Sequence, residues 1–536
     1  MKPFNILIFM LSVFGGMLIL SLLIPKDGLK VSESWTLHFP SLEETFMPQE
    51  DKYVDITEII AKNQVPDTLD RYDNAKREKA YLKDSSIVYY QPLNIKPGQV
   101  RQKLEYGKNG KAALFPFFKQ LLSLNKSGKL IRILHYGDSQ IEADRMTSYL
   151  RYKLQAQFGG YGPGLIPVVQ PYDFRSPAII ESEGNWKRYP GYGKRDTTVW
   201  HKRYGVLASF ARFAPIKYPE PEIIEPEQDT VQVTDLNKDT VQQISQKKEE
   251  TQIYTAGLTI KPSPYSVKRV RQYSQARLFY GYNQKPFNLK LYTGETLFSE
   301  NTLDVSDNLQ VKRWLFPNPP EYLRLEFSGE DSPDIFALAL DGTKGIAVDN
   351  IPLRGSGGIV FTNSDQTLLA NIYKKLNVKL VILQFGGNVA PGMRDNYNFY
   401  ERSFYRQIKA IQRLIPGVSI IVIGLGDMSM KEKDTYISYP NIKLIRDALK
   451  NASFKAGCAF WDMYEAMGGE NSMPSWVFSE PALAEKDFIH FTVRGSKIIA
   501  KMFYRALMLD YENFITKQNS LPIDNDEGKV QLSSNK

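Results

Sequence analysis

Residues 131–150 read IRILHYGDSQIEADRMTSYL, a mostly apolar run that ends in the tripeptide Gly137-Asp138-Ser139. A segment with apolar residues at roughly helical spacing follows at once. This order predicts a buried strand, a tight glycine turn and the start of a helix. Such a geometry lifts a serine hydroxyl clear of a sheet and sets backbone N–H groups beside it. Ser139 is therefore a candidate nucleophile, and the alternative is a surface turn that caps a helix.

A histidine near the C-terminal end offers a base for this serine. The segment DFIH holds His490, one of four histidines in the chain, three residues after Asp487. A general base must lie within reach of the nucleophile, and a third group must orient that base. A parallel α/β sheet brings loops that are distant in sequence onto one edge. Asp487 and His490 are therefore expected to form a relay with Ser139, the alternative being a capped helix start with a packed histidine.

Two glycine-containing turns offer donors for an oxyanion. The buried strand predicted at 378–385 ends in a GGN turn, and Asn388 of that turn can aim its amide N–H at a developing negative charge. In the loop VDNIPLRGSGGIVFT, Gly355 allows a close backbone approach to a ligand. Gly357 and Gly358 of the same loop compete with it. Each turn taken alone also fits ordinary loop chemistry.

In this order, the four blocks resemble those of the SGNH (GDSL-type) hydrolases. The serine block matches at Ser139, the glycine block at Gly355, the asparagine block at Asn388, and the DxxH block at Asp487 and His490. The resemblance implies a catalytic relay made of the serine, the histidine and the aspartate. It also implies an oxyanion hole made of the backbone N–H groups of Ser139 and Gly355 and the side-chain amide of Asn388.

Other residues of the same blocks either support the site or differ from the residues that the family has there. The resemblance implies that Gly137, Asp138 and Gly387 support the site. Gln140 stands where many members have leucine, and Val389 stands where many have aspartate. Neither departure removes a catalytic group.

The resemblance extends to a subgroup with a glycan substrate. HYGDSQIEADRMTSYLRYKLQAQFGGYGPG is similar to bacterial peptidoglycan O-acetylesterases, and FWDMYEAMGGENSMPSW at 460–476 to related membrane-anchored proteins that act on cell-surface glycans. It implies a serine esterase that removes O-acetyl groups from a cell-envelope or extracellular glycan. Two alternatives stay open: an O-acetyltransferase supplied by a membrane-bound acetyl donor protein, and a non-catalytic glycan-binding protein. Met467, Met473 and Trp476 are expected to cap the pocket or to pack behind it.

An α/β alternation follows Lys344. The predicted elements are helices at 364–375, 397–414 and 440–453 and strands at 378–385, 418–425 and 457–461. Alternation at this spacing predicts a parallel sheet with helices on both faces. The resemblance implies a flavodoxin-like three-layer α/β/α core, discontinuous in sequence, at 106–174 and 344–515.

The segment between the two halves of the predicted core has a different sequence pattern. Residues 175–343 contain short alternating aromatic runs, which predict an inserted β-sandwich similar to carbohydrate-binding modules. Trp200 or Trp314 is a candidate for stacking on a sugar, unless both belong to the core. Within this region, residues 218–251 are rich in Pro, Glu and Gln and are expected to form a flexible loop. The tail at 516–536 is expected to be disordered.

The N-terminal segment is apolar and predicts a membrane helix. Residues 4–24 carry no charge and are long enough to span a bilayer. We expect residues 1–25 to be an uncleaved anchor, because no small-residue cleavage site follows, with a cleaved signal and a secreted protein as the alternative. Residues 26–105 are expected to be a tether and lead-in. The catalytic domain is then expected to face the periplasm or exterior, with the inner membrane as a partner through residues 4–24.

Composition narrows the remaining classes. A chain of 536 residues predicts two or three domains. The net charge of +9 comes without a basic run, so nucleic acid is not an expected partner. The single cysteine, Cys458, excludes an intrachain disulfide, and four scattered histidines without HExxH argue against a metal site. No cofactor is expected.

Overall fold

The computed structural model describes residues 3–25, 28–32, 35–37, 39, 53–65, 90–108, 110–173, 176–216, 252–433 and 435–520. The loop predicted at 218–251 lies outside these residues, as do parts of the predicted tether and the end of the predicted tail. The chain divides after Val54 into two units.

The first unit contains one long helix and a small hairpin. Helix α1 (Pro3–Leu23) is followed by β1 (Leu29–Ser32) and β2 (Trp35–Leu37), which pair antiparallel. Residues 4–23 are long and apolar enough to cross a membrane, with a mean hydropathy of 2.6. This helix has the properties of a membrane anchor or of a signal sequence.

The second unit starts at Asp55. Its first elements are α2 (Thr57–Asn63), β3 (Glu105–Tyr106), α3 (Phe115–Ser127), β4 (Leu130–Gly137), α4 (Arg145–Phe158) and β5 (Gly164–Ile166). Of these, β4 and α4 are the strand and the helix that the GDS segment predicts. Strand β4 is buried along nearly its whole length, as its apolar run predicts.

Ten antiparallel strands follow. They are β6 (Ala178–Gly184), β7 (Lys187–Pro190), β8 (Ser209–Arg212), β9 (Tyr254–Pro262), β10 (Gln275–Asn283), β11 (Phe287–Thr293), β12 (Thr296–Leu303), β13 (Ser306–Leu315), β14 (Leu323–Gly329) and β15 (Asp334–Asp341). One sheet has the order β13-β10-β15-β8-β7, and the other has the order β12-β11-β14-β9-β6. Alternate side chains of both sheets share one apolar core. That this region is a carbohydrate-binding module stays a prediction.

The α/β alternation resumes after β15. The elements are β16 (Gly345–Pro352), α5 (Gln366–Leu376), β17 (Val378–Gln384), α6 (Asn398–Leu414), β18 (Ser419–Ile423), β19 (Ser429–Glu432), β20 (Thr435–Ser438), α7 (Ile442–Lys455), β21 (Ala459–Trp461), α8 (Met463–Met467), α9 (Ser472–Phe478) and α10 (Val493–Ser520). Helix α10 includes residues 516–520, which the sequence assigns to a disordered tail, and its buried Phe514 and Ile515 pack that end of the helix.

A parallel sheet lies at the centre of the second unit. Its strand order is β16-β4-β17-β18-β21-β3, and only the short β3 runs antiparallel. If the five parallel strands are numbered 1 to 5 along the chain, their order across the sheet is 2-1-3-4-5. This is the flavodoxin-like order, and its topological switch point lies between β4 and β17. Gly137 at the end of β4 is in register with Gln384 at the end of β17. Loops after these two strands therefore meet at one edge.

Strand β5 departs from the predicted boundary between the two regions. It falls within 106–174, which the sequence assigns to the α/β core, but it pairs with β15 of the antiparallel sheet. The boundary differs because β5 pairs with a strand that is distant in the sequence. The pattern of its own three residues does not predict such a pairing.

A buried ion cluster joins the antiparallel sheet to the central sheet. Arg132 on β4 has no exposed surface, and its guanidinium donates to Asp349 on β16 at 2.6 and 2.8 Å and to Asp341 on β15. Asp349 also accepts the backbone N–H of Leu165 on β5 at 2.7 Å. Burial by itself would lower the pKa of Arg132, but the two carboxylates outweigh it and raise that pKa. Arg132 therefore stays charged, and the contacts of the cluster link four strands.

Substituting one partner of this cluster should destabilise the fold strongly. Asp349→Leu leaves Arg132 undercompensated and the Leu165 N–H unpaired, so we expect the free energy of unfolding to fall by about 3–5 kcal/mol. Urea denaturation of the full chain in detergent, followed by tryptophan fluorescence, measures the loss.

The matched control is Glu326→Leu, which breaks the partly exposed ion pair between Arg324 and Glu326. Because water screens that pair, its loss should cost less than about 1 kcal/mol. Equal losses in the two variants would contradict the role assigned to the buried cluster.

Candidate active site

The turn after β4 depends on a glycine with no room for a side chain. A Cβ at Gly137 would lie 2.9 Å from the carbonyl oxygen of Gln384 and 2.9 Å from Cγ1 of Ile141. The absence of a side chain lets β4 end against β17. Ser139 then begins a short 3-10 turn, Ser139–Asp144, at the carboxyl edge of the sheet.

The structure brings Ser139, His490 and Asp487 together. Nε2 of His490 lies 2.8 Å from Oγ of Ser139, and Nδ1 of His490 lies 2.7 Å from Oδ2 of Asp487. The other carboxylate oxygen, Oδ1 of Asp487, accepts the backbone N–H groups of Ile489 at 2.9 Å and His490 at 3.0 Å. The aspartate therefore holds both the ring and the backbone of the histidine.

Asp487 is ionised across the neutral range. Burial by itself would raise the pKa of this carboxyl, but hydrogen bonds from the His490 ring and from the backbone N–H groups of His490 and Ile489 outweigh it. The pKa of Asp487 falls to about 2. This lowered pKa keeps the carboxylate available to hold the Nδ1–H tautomer of the imidazole.

Asp138 is a second carboxyl near the histidine, and its environment differs. It is buried, and burial raises its pKa to about 6 against the opposing effects of hydrogen bonds and of His490. Its carboxylate accepts the backbone N–H of Gln140 at 3.0 Å and also that of Gly387. Asp138 therefore connects the turn after β4 to the turn after β17, and the supporting role of Asp138, Gly137 and Gly387 stays a prediction.

A small pocket opens in front of Ser139. It has a volume of about 160 Å³ and also includes Asn388 and His490 in its lining. Apolar side chains, among them Leu425 and Met463, line its other side.

Met467, Met473 and Trp476, which the sequence offers as a cap, do not line this pocket. Met467, Met473 and Trp476 are fully buried, and the ring of Trp476 packs edge-on against Phe491.

Asn388 reaches the pocket, whereas Gly355 does not line it. One N–H of the Asn388 amide donates to the carbonyl oxygen of Ser356 at 3.2 Å, and an amide nitrogen has a second hydrogen for a ligand. Gly355 lies in the loop after β16 with a φ of +76°, a left-handed conformation that favours glycine. Among the residues that the structure describes, neither Gly355 nor Gly357 or Gly358 lines the pocket. The backbone donor from this loop stays a prediction.

Gln140 holds the backbone on both sides of His490. Its Nε2 donates to the carbonyl oxygen of Ile489 at 2.8 Å, and its Oε1 accepts the N–H of Phe491 at 3.3 Å. The residue after the nucleophile thus fixes the loop that carries the base, across 351 residues of sequence. Leucine, the usual residue in the resembling family, cannot make either bond. The departure at Gln140 was the only sequence signal for this role.

The described side chains do not form a metal centre. Among the residues that the structure describes, no group of three or more His, Cys, Asp and Glu side chains is arranged to hold a metal ion. Cys458 is buried, and burial raises the pKa of its thiol to about 12. A buried neutral thiol of this kind is not a nucleophile at neutral pH.

Comparison with solved structures identifies the fold. The chain is similar to a structure described as a peptidoglycan O-acetylesterase in action, with a TM-score of 0.55, 18% sequence identity, and coverage of 74% of this chain and 96% of that chain. No family model and no curated protein matches the chain. At this identity the likeness establishes the fold, and the SGNH/GDSL resemblance of the motifs is confirmed at that level.

Two further structures are similar over shorter parts of the chain. One is an active-site mutant of a family two carbohydrate esterase from Clostridium thermocellum, with a TM-score of 0.22, 8% identity and coverage of 49% of this chain and 92% of that chain. The other is a GDSL-like lipase from Bacteroides ovatus, with a TM-score of 0.21, 12% identity and coverage of 48% and 84%. These TM-scores are too low to define a fold, so the fold assignment rests on the first structure.

Removing the Gln140 amide should slow turnover without weakening substrate binding. Gln140→Leu keeps the side-chain volume but deletes both bonds to the His490 loop, so the imidazole loses its alignment with Ser139. We expect kcat for an ester substrate to fall by about ten- to a hundredfold, with KM little changed. Steady-state kinetics on the full chain in detergent measure the two constants.

Gln412→Leu is the matched control, because the Gln412 amide donates to the carbonyl oxygen of Ala456 at 2.9 Å, away from the pocket. It should leave kcat unchanged. A similar fall of kcat in both variants would mean that Gln140 contributes only to stability.

Proposed function

We propose that this chain is an SGNH-type serine esterase that removes O-acetyl groups from a cell-envelope or extracellular glycan. The observation that carries this proposal is the continuous relay from Asp487 through His490 to Ser139, with distances of 2.7 and 2.8 Å. These are hydrogen-bond distances for a base with its nucleophile and for an orienting carboxylate with that base.

The relay supports acyl transfer in two steps. His490 Nε2 takes the Ser139 proton as Oγ attacks the acetyl carbonyl carbon, and the carbonyl electrons move to oxygen. When this intermediate collapses, the bond to the sugar oxygen breaks and His490 returns its proton to that oxygen. Water then gives a proton to His490 and attacks the acetyl-serine, which releases acetate and restores the Ser139 hydroxyl.

The developing negative charge needs donors that are already oriented. We assign this role to the backbone N–H of Ser139 and to the Asn388 side-chain amide, with the Gly355 N–H as the donor that the resemblance implies. Donors fixed before the reaction stabilise the oxyanion without reorganisation during the step.

The pocket supports a small acyl group. Its volume of about 160 Å³ and its apolar wall with Leu425 and Met463 suit an acetyl methyl rather than a long acyl chain. The glycan as substrate class is proposed from the motif resemblance and from the name of the similar peptidoglycan O-acetylesterase.

An O-acetyltransferase is the second candidate, and the N-terminal helix favours it. A helix at residues 4–23 that can cross a membrane would keep the catalytic unit near a membrane-bound acetyl donor protein. In that case a sugar hydroxyl replaces water in the second step, and the same residues serve both reactions. We propose an anchored protein with the catalytic unit in the periplasm or outside the cell. A non-catalytic glycan-binding protein is disfavoured because the relay has all its members.

Ser139→Ala should abolish turnover while leaving the fold intact. Without the hydroxyl no acetyl-serine forms, so release of p-nitrophenol from p-nitrophenyl acetate should fall by several orders of magnitude. Both proteins are incubated as full chains in detergent, with and without short glycan acceptors, and free acetate and acetylated sugar are followed by mass.

Acetate that depends on Ser139 would support the esterase, and acetylated sugar formed at its expense would support the transferase. Normal turnover by Ser139→Ala would refute both.

Asn388→Ala should lower the rate far more than the affinity. Loss of one oxyanion donor typically reduces kcat by about a hundred- to a thousandfold. Steady-state kinetics separate the two effects, since the donor acts on the charge that forms only in the transition state. A higher KM at unchanged kcat would reject the oxyanion role. Asn398→Ala, at the exposed start of α6, is a control that should change neither constant.

A further inference from the structure

An exposed tryptophan between β7 and β8 lies beside a cavity that the proposed chemistry does not use. Trp200 is 61% exposed, in contrast to Trp314, which is 5% exposed and packs in the core shared by the two sheets. Of the two tryptophans that the sequence offers for sugar stacking, only Trp200 is accessible. A large exposed indole costs hydration free energy and often marks a binding surface.

The cavity beside Trp200 has the size of a ligand site. We call it the Trp200 cavity; it has a volume of about 480 Å³ and is lined by Trp200, His201, Arg203, Arg212, Ile216, Tyr282, Asn283, Gln284, Val305, Ser306, Asp307 and Asp331. This volume lies in the range of pockets for small ligands. None of its lining residues is shared with the pocket of Ser139, so it is a separate site.

A buried acceptor without a partner lies in the lining. Asn283 is 2% exposed, and its Nδ2 donates to the carbonyl oxygens of Lys285 at 2.8 Å and Asp304 at 3.0 Å. Its Oδ1, however, has no hydrogen-bond partner among the residues that the structure describes. A buried polar atom of this kind is costly unless a ligand or water satisfies it. Asn283 belongs to the lining of the Trp200 cavity, so this unsatisfied acceptor lies beside the cavity.

The charges around the cavity compensate one another. Arg212 donates to Asp331 at 2.6 Å and to Asp334 at 2.8 Å, and Arg203 donates to Asp334 at 3.2 Å. Burial, together with the two arginines, lowers the pKa of His201 to about 4, so its imidazole is uncharged at neutral pH. With its arginines already paired, the cavity has no excess charge that would select a phosphate or a carboxylate.

Two contacts between planar side chains lie in the cavity lining. The guanidinium of Arg203 lies 4.2 Å from the ring centre of Tyr282, in a cation–π contact. The indole of Trp200 stands edge-on to the His201 ring at 5.6 Å. An apolar indole face next to fixed polar groups matches a pyranose ring, which has an apolar C–H face and a rim of hydroxyl groups.

We propose that the Trp200 cavity is a second, non-catalytic binding site that takes an uncharged segment of a glycan chain. The sugar ring stacks on the Trp200 indole, and a hydroxyl or an acetamido N–H of the glycan donates to Oδ1 of Asn283. Such a site holds the polymer while the Ser139 pocket acts on an acetyl group.

Binding is tested on the full-length Ser139→Ala variant in detergent. This variant has no turnover that would disturb the titration, and the result does not depend on the proposed esterase activity. Calorimetric titration with chitotetraose in its N-acetylated form and with cellotetraose should give saturable binding to at least one of them. Trp200→Ala should weaken this binding by about tenfold or more, since tryptophan is a common anchor of binding sites. Trp200→Phe, which keeps an aromatic face, should stay within about threefold of the parent.

Tyr265→Ala is the matched control, because Tyr265 is 65% exposed and is absent from the lining of the Trp200 cavity. It should bind as the parent does. Unchanged binding in Trp200→Ala, a loss in Tyr265→Ala alone, or no binding of either saccharide to the folded parent would overturn the proposal. With Ser139 intact, Trp200→Ala should hydrolyse p-nitrophenyl acetate at the parent rate, which separates this site from the catalytic pocket.

Discussion

A buried arginine sets the relation between the two kinds of sheet in this protein. Arg132 lies on the strand that leads to Ser139, and its two carboxylate partners come from the next parallel strand and from the antiparallel sheet. A charge without any exposed surface is tolerated only with paired and well-placed partners, so the cluster fixes which strands are neighbours. The cluster ties β4 to β16, where Gly137 is in register with Pro352, and the other side of β4 pairs with β17, where Gly137 is in register with Gln384. The turn that holds Ser139 is therefore placed at the edge where the other loops end.

The histidine reaches this edge by a different route. Asp487 is close to His490 in sequence and orders it locally, but it cannot decide where the whole loop lies. That placement comes from Gln140, whose amide holds the loop on both sides of the ring, and from the N–H of Glu485, which donates to the carbonyl oxygen of His490 at 2.7 Å. Small changes in the position of a base cost large factors in rate, so in the proposed reaction the contacts that hold this loop matter as much as the base itself.

Local pattern predicted the parts of the structure that depend on local burial. The apolar run of β17 and the helical spacing of α6 occupy 378–384 and 398–414, close to the predicted 378–385 and 397–414. Pairing across long sequence distances was not predictable in this way. The three-residue β5 joined the antiparallel sheet, and the hairpin of β19 and β20 was missed because its two four-residue strands are mostly half-buried and have no alternating pattern of burial.

In the candidate site too, local sequence predicts some residues, and contacts between remote segments determine others. The motif blocks named Ser139, Asp487 and His490, because Ser139 follows an apolar run in a glycine turn and Asp487 and His490 stand three residues apart in DFIH. The Gln140 contacts follow only from the folded arrangement of two remote loops, and periodicity carries no information on them. The sequence does not show whether Trp200 or Trp314 is accessible to a sugar. Only the packing of the sheets shows that the indole of Trp200 is exposed and that of Trp314 is buried.

The sizes of the two cavities suggest how selection for the acyl group and for the glycan is divided. A pocket of about 160 Å³ at Ser139 is smaller than typical ligand pockets, so it can distinguish acetyl from longer acyl groups but can contact little of a polymer. In the proposed function, affinity for a glycan would then come from surface outside that pocket. A cavity of about 480 Å³ with an exposed indole supplies such surface without approaching the reacting atoms. Because its contacts would be equal in the ground state and the transition state, it would lower KM for a polymer and leave kcat to the relay.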